Sequence, residues 1–258
     1  MQKLVGSKNI QTIYNDLRSL KERGFVDCIV YGGVTKSGTM HKLHYLTSKG
    51  AGVVAEVLGI ELSKVKYPKS TNTLVKNDFF HRIFTIDAMI SFDLWSDDFD
   101  RDVLFFDVYF DKVGSQRGGP VGTLQTKTRV KTGADTYIDP DGIFAYTGGD
   151  DKERLFALEV ANGVDTKRIV KQLREVVFAS YQGFIAEKHK IKATAKILII
   201  FEHESTLQAV ISRVASDEYL NRFEGLKEYV FVGTHSQVSQ DWRGSWRNIE
   251  GKAVKPFG

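Results

Sequence analysis

The chain has 258 residues, of which 42% are hydrophobic and 26% are charged, and its formal net charge at pH 7 is +4. This is the composition of a globular protein, so collagen-like, disordered and low-complexity classes are excluded. No stretch reaches the roughly 18 apolar residues of a membrane-spanning helix, and the N-terminus lacks the apolar core of a signal peptide. The single cysteine, Cys28, excludes an intramolecular disulfide. We therefore expect a cytoplasmic protein with no membrane segment.

Basic residues are concentrated at the beginning of the chain. Residues 1–70 contain eleven Lys and Arg against five Asp and Glu, whereas the remainder contains 25 basic and 27 acidic residues. A basic N-terminal region followed by a near-neutral remainder is typical of a protein that contacts nucleic acid at one end. A solvated basic surface would give the same numbers, so the charge pattern leaves both interpretations open.

The first predicted element is an amphipathic helix over residues 7–23, with Ser7 as its N-cap and Gly24 just beyond its end. Five apolar residues at helical spacing predict one buried stripe: Ile10, Ile13, Tyr14, Leu17 and Leu20. A strand over 25–32, a flexible turn over 33–40 and a second strand that gives way to a helix within 41–54 follow. This is the order of a recognition helix and its β-wing.

The polar face of the first helix carries side chains that can reach phosphates or base edges in a DNA groove. These residues are Lys8, Gln11, Thr12, Asn15 and Arg18. Lys36 and Lys42 are expected at or beside the wing tip, where they would contact the DNA backbone. Residues 1–68 therefore resemble a winged-helix DNA-binding domain, although only about six residues precede the helix where a complete domain has two further helices. The alternative is a helix and hairpin that form a homodimer.

A second domain is predicted over residues 76–258, after a polar stretch that contains Pro68. Its patterns predict a helix over 79–92 and strands over 102–113, 136–148 and 154–163. A long helix over 165–188, a buried strand over 196–203, a helix over 205–214 and a strand over 228–235 follow. The expected fold class is α/β, with a mixed sheet flanked by helices.

Two carboxylates stand out because each interrupts a hydrophobic strand pattern. Asp141 lies in a Pro-Asp-Gly turn, and Glu159 lies within the apolar sequence Phe156–Val160. A charge in an apolar strand costs free energy unless it is paired or binds a metal. On neighbouring strands the two carboxylates would be hard oxygen ligands for Mg²⁺ or Mn²⁺. The alternatives are a turn residue at Asp141 and the solvated face of an edge strand at Glu159.

Three segments carry a resemblance to a known family: Asn77–His81, Pro140–Gly142 and Leu158–Gly163. A Pro-Asp sequence followed by a strand glutamate and a helix resembles the PD-(D/E)XK restriction-endonuclease-like fold over residues 76–238. Together with the N-terminal winged helix, the three segments look like the plasmid replication-relaxation family, which includes the MOBC-type relaxases of mobilisable plasmids. The resemblance implies metal-dependent phosphodiester cleavage, with Asp141 and Glu159 as metal ligands and His81 near the metal or the scissile phosphate.

The sequence departs from the nuclease motif at Ala161, where the motif places a lysine two residues after the glutamate. A positive charge could arrive instead from the following helix, through Lys171 or, as a second choice, Lys167. Both lysines are also ordinary surface residues for the start of a helix.

The sequence therefore predicts a plasmid DNA-processing protein that binds double-stranded origin DNA and nicks one strand with Mg²⁺ or Mn²⁺. Its partners would be plasmid DNA and other mobilisation or replication proteins. The main alternative is a non-catalytic DNA-binding replication factor or regulator on the same scaffold, which the missing lysine favours. A third hypothesis is a sequence-independent nuclease of repair or defence.

Overall fold

The structure is a computed structural model that describes residues 9–30, 33–35, 38–39, 42–68, 78–114 and 125–257. The chain divides into two compact units, Met1–Phe80 and His81–Gly258. Within the described residues, no helix combines the length and the apolar character that crossing a lipid bilayer requires.

The first unit begins with a helix and a pair of antiparallel strands. Its elements are α1 (Ile10–Glu22), β1 (Val26–Ile29), β2 (Val34–Thr35), β3 (Gly38–Thr39), β4 (Leu43–Leu46) and α2 (Ser48–Leu58). Strand β1 pairs with β4, and β2 pairs with β3. The predicted order of helix, strand, turn, strand and helix is thus present in this unit.

The ends of α1 and α2 follow from their capping residues. Ser7 lies outside the described residues, and the N-cap of α1 is Asn9, whose side chain accepts a hydrogen bond from the Gln11 amide at 2.9 Å. Gly24 follows α1 with φ +74°, as expected for a glycine just past a helix end. Thr47 caps α2 by accepting from the Gly50 amide at 3.1 Å.

The predicted buried stripe of α1 is only partly correct. Ile13 and Leu17 are buried, but Ile10 and Tyr14 are 56% and 55% exposed. Both exposed residues lie in the N-terminal half of the helix, and the spacing rule cannot tell how much of an apolar face is covered.

The second unit contains a seven-stranded mixed sheet with helices. Its helices are α3 (Phe79–Asp98, nearly all of it in this unit), α4 (Thr166–Tyr181), α5 (Phe184–His189), α6 (Glu204–Ala215), α7 (Leu226–Tyr229) and α8 (His235–Val238). Its first strands are β5 (Asp102–Val108), β6 (Lys112–Val113), β7 (Gln125–Thr126), β8 (Val130–Lys131) and β9 (Tyr137–Ile138). The remaining strands are β10 (Gly142–Thr147), β11 (Glu153–Ala161), β12 (Lys196–Phe201), β13 (Val230–Thr234), β14 (Trp246–Asn248) and β15 (Ala253–Val254).

The large sheet has the strand order β15-β14-β13-β12-β11-β10-β5. Strands β5, β10 and β11 are antiparallel neighbours, β11, β12 and β13 run parallel, and β14 and β15 are antiparallel. The connection from β11 to the parallel β12 contains α4, as a crossover between parallel strands requires. The predicted α/β class, with a large mixed sheet flanked by helices, is confirmed.

Alternate residues of the central strands enter two different cores. Ile143 and Ala157 face the core that α4, α5 and α6 complete. Phe144 and Phe156 face the core that α3 and the C-terminal segment complete, including the buried Trp246. Because the sheet is covered on both faces, its central strands are almost continuously apolar in sequence.

The helix predicted over residues 165–188 is two helices in the structure. Gly183 has φ +78° and separates α4 from α5, since a left-handed residue ends the regular helix. The strands predicted over 102–113 and 136–148 are also shorter. The first ends at Val108, and the second is divided into β9 and β10 by the Pro140 turn.

Candidate active site

Asp141 lies in the turn before β10 and is held by three groups. Its backbone carbonyl accepts a hydrogen bond from the Tyr109 amide at 3.0 Å. Its Oδ2 accepts from the Val160 amide at 2.7 Å, and its Oδ1 lies 2.7 Å from His81 Nε2. The residue is only 8% exposed. The carboxylate therefore has a fixed orientation, and each of its oxygens keeps a further lone pair.

Glu159 is the neighbour of Asp141 across the sheet. The register pairs Gly142 with Leu158, so Asp141 and Glu159 occupy the next positions of the two antiparallel strands. By alternation along β11, the Glu159 side chain shares a face with Ala157 and Ala161, which belong to the core under α4. The sequence-predicted pair of carboxylates is thus brought together.

Burial and the charges of two neighbouring acids determine the electrostatic environment of Glu159. Enclosure of its carboxyl group by protein raises the pKa of Glu159 well above the usual range, and the charges of Asp141 and then Glu175 raise it further. The residue as a whole keeps partial exposure, so the group is close to solvent although the carboxyl itself is desolvated. A site of this kind gains free energy from a cation.

His81 reaches the pair from the first turn of α3. Its Nε2–H donates to Asp141, while its Nδ1 lies 3.3 Å from Asn162 Oδ1. A ring protonated at both nitrogens donates to Asp141 Oδ1 and to Asn162 Oδ1, whereas a neutral ring would accept at Nδ1 only if the Asn162 amide were rotated to present its NH2 group. The ring also lies edge-on to Tyr109, with 5.2 Å between centroids. His81 therefore orients Asp141.

The donor set fits a hard divalent cation. No group of three or more His, Cys, Asp and Glu side chains in the described ranges could hold a metal unaided. Mg²⁺, however, commonly binds through one or two carboxylates and completes its shell with water or substrate phosphate. Asp141, in the turn before β10, and Glu159, on β11, could supply those two carboxylates, and the desolvated Glu159 carboxyl group beside a second acid is the observation that favours a cation there.

Lys171 and Lys167 are both exposed on α4. Among the described residues, neither forms an ion pair with Asp141 or Glu159. The Lys171 ammonium lies 4.0 Å from the carboxylate of Glu175, the acid whose charge also reaches Glu159. Lys171 is therefore linked to the acid pair through one intermediate side chain.

Three residues of this site carry no assignment from the sequence. Tyr109 and Glu175 show no local signal, because only the fold brings them near the acids. Asn162 lies within the segment Leu158–Gly163 that carries the family resemblance, so its amide was detectable as part of a motif but not as a partner of His81.

The predicted DNA-contact residues of the first unit are placed as follows. Gln11, Thr12, Asn15 and Arg18 are exposed on α1, and Lys42 is exposed before β4. The Gln11 side-chain amide donates to Asn15 Oδ1 at 3.2 Å, which aligns these two side chains one turn apart. Lys8 and Lys36 lie outside the described residues.

Comparison of the chain with protein-family models, with curated proteins and with solved structures found no match.

Proposed function

We propose that this protein cleaves one strand of DNA in a reaction that depends on a divalent cation held by Asp141 and Glu159. The observation that carries the proposal is the acid pair: Asp141 in the turn before β10 and Glu159 on the adjacent strand β11, with the Glu159 carboxyl group desolvated and close to the charges of Asp141 and Glu175. The order of elements around the pair supports the nuclease-like resemblance: three antiparallel strands are followed by α4 and then by a parallel strand.

The residues have distinct roles in this proposal. Asp141 and Glu159 would hold Mg²⁺ or Mn²⁺, and such a cation supplies an activated water and neutralises charge on the phosphodiester. The Val160 amide and His81 fix the two oxygens of Asp141, so that the carboxylate needs no reorganisation when it binds. Lys171 would supply the positive charge for which the chain has no lysine at position 161.

The N-terminal unit would bring the substrate. Its exposed polar side chains on α1, together with the basic composition of residues 1–70, support contact with double-stranded plasmid origin DNA. The class of protein that fits both units is the plasmid replication-relaxation type, in which other mobilisation or replication proteins are the partners.

The deciding experiment is conversion of supercoiled plasmid to open circle in the presence of Mg²⁺ or Mn²⁺. We expect Asp141→Asn to lower the rate at least 100-fold while DNA binding in EDTA is unchanged. Asp139→Asn is the matched control, because Asp139 lies two residues away and forms an ion pair with Arg129 at 2.8 Å. Nicking that survives in both Asp141→Asn and Glu159→Gln would contradict the proposal.

A non-catalytic DNA-binding factor on the same scaffold is the second candidate. Ala161 favours it, together with the finding that neither Lys167 nor Lys171 pairs with the acids among the described residues. The same assay separates the two: no open circle with either metal, and intact binding in EDTA, identifies the binding protein. Equal cleavage of a plasmid without the cognate origin would identify a sequence-independent nuclease instead.

A further inference from the structure

A second polar feature of the large unit is a cleft beside the first half of α4. Its cavity volume is about 610 Å³, and its other wall is the end of α6 with the segment 216–222. Five cations line it: Lys167, Lys171, Arg174, Arg213 and Arg222. Among the described residues, two acids line it as well: Asp217 and Glu218.

The buried acid of the cleft already forms an ion pair within the protein. Asp217 is held by Arg174, whose Nη2 lies 2.6 Å and Nε 3.0 Å from Oδ2, and by the Leu220 amide at 3.0 Å. Although burial alone would raise the pKa of Asp217, these hydrogen bonds lower it, so the carboxylate stays charged beside its guanidinium. Arg174 is thereby fixed in place at the wall.

The remaining cations leave an excess of positive charge. Within the described ranges, Lys167, Arg213 and Arg222 have no ion pair, and Lys171 has only its 4.0 Å pair with Glu175. Like charges that gather around one cavity repel each other, which disfavours the free protein and favours any anion that enters.

The arginine and lysine side chains that line the cleft are suited to bind phosphate groups. Guanidinium groups match two oxygens of a phosphate at once, and lysine ammonium groups add point charges. The half-buried Tyr219 ring lies 6.0 Å from the Arg174 guanidinium carbon, so an aromatic surface for a base borders the charges. A volume of this size is typical of sites for small organic ligands.

We propose that the cleft between α4 and the end of α6 binds phosphate groups, either those of a nucleic-acid strand or those of a free nucleotide. The site requires neither Asp141 nor Glu159, and its function goes beyond the cleavage proposed above. It gives the large unit a phosphate contact of its own, independent of the N-terminal unit.

The test compares the full chain with Arg213→Gln/Arg222→Gln, a double variant of two exposed arginines. The matched control is Lys131→Gln/Lys192→Gln, which removes two positive charges at exposed positions outside the cleft. Two probes are titrated in EDTA: ATP, followed by calorimetry, and a fluorescein-labelled 12-nucleotide single-stranded DNA, followed by anisotropy. Matching far-UV circular dichroism establishes that each variant is folded.

We expect the arginine variant to bind at least one probe about tenfold more weakly, and the lysine control to change less than twofold. For DNA, the slope of log affinity against log salt should fall by roughly 1 to 2, because two phosphate contacts are lost. Weaker binding of ATP, with or without weaker binding of DNA, identifies a nucleotide pocket, and weaker binding of DNA alone identifies a contact with the strand backbone.

Three results would overturn the proposal: a wild-type chain that binds neither probe, equal losses in the arginine and lysine variants, or no loss in the arginine variant. Asp141→Asn separates this site from the acid pair. We expect it to bind ATP as the wild type does, whether or not it nicks plasmid DNA.

Discussion

Asp217 and Glu159 are two acids of the same unit whose surroundings are opposite. Asp217 has the Arg174 guanidinium and a backbone amide against its carboxylate, and its pKa is lowered. The Glu159 carboxyl group is desolvated by burial and lies near the charges of Asp141 and Glu175, and all three effects raise its pKa. An acid that forms an ion pair with a cation of the same chain has a structural role. A buried acid without such a partner is a candidate ligand for a bound cation.

The largest effect is expected when the positively charged partner of Asp217 is removed. In Arg174→Met, a carboxylate with 4% exposure loses its bidentate partner, and an unpaired buried charge is strongly destabilising. We expect the midpoint of thermal unfolding to fall by about 5 °C or more. Arg213→Gln, which removes an arginine without an ion pair among the described residues, is the control and should shift the midpoint by less than about 2 °C. A shift in Arg174→Met as small as that of the control would contradict the account.

The converse change neutralises Glu159. In EDTA, Glu159→Gln should raise the free energy of unfolding by about 1 kcal/mol, because it removes an acid that burial and neighbouring charges disfavour. Mg²⁺ or Mn²⁺ should stabilise the wild type by binding the folded state and should not stabilise the variant. Urea denaturation with and without metal measures both effects. Equal metal stabilisation of the two proteins would remove Glu159 from the metal site.

A third titratable group, the half-buried His189, is shifted toward its neutral form. Burial and, after it, the positive charge of Lys188 lower the pKa of His189 to about 4, and its ring stacks on Phe105 with 4.5 Å between centroids. An unfolded histidine titrates near 6.5, so the unfolded chain binds more protons between pH 6.5 and 4, and stability falls as pH falls through that window. The loss should be on the order of 1 kcal/mol, discounted for partial solvent exposure.

The control for this pH dependence is His189→Phe, which keeps an aromatic ring against Phe105 but cannot titrate. Denaturation at several pH values should show the wild type losing stability relative to the variant between pH 6.5 and 4. Parallel profiles for the two proteins would mean that His189 is not responsible.

The sequence predicts several elements and singles out the two acids, because both inferences depend on local patterns. Apolar spacing places α3, β11 and β12, and a charge inside an apolar strand singles out Glu159 before any fold is known. The break at Gly183 was missed, because a glycine in a helical pattern does not reveal its own φ. Tyr109, Asn162 and Glu175 belong to the site only through the strand register and the packing of α3 and α4, which the sequence alone does not supply.

The substitution with the smallest expected effect on stability tests the proposed role of Lys171 in nicking. Lys171 and Glu175 form an exposed pair at 4.0 Å, so Lys171→Met should change the free energy of unfolding by less than about 0.5 kcal/mol. If Lys171 supplies the charge that Ala161 cannot, the nicking rate should nevertheless fall tenfold or more. Lys167→Met is the matched control, because it removes the same charge one turn earlier on α4 and, within the described residues, Lys167 forms no ion pair with Glu175. A loss of nicking rate confined to Lys171→Met would indicate that the Lys171 charge acts together with the acid pair. Equal losses in both variants would instead assign the two lysines to phosphate binding in the cleft, and the acids would then act without a lysine.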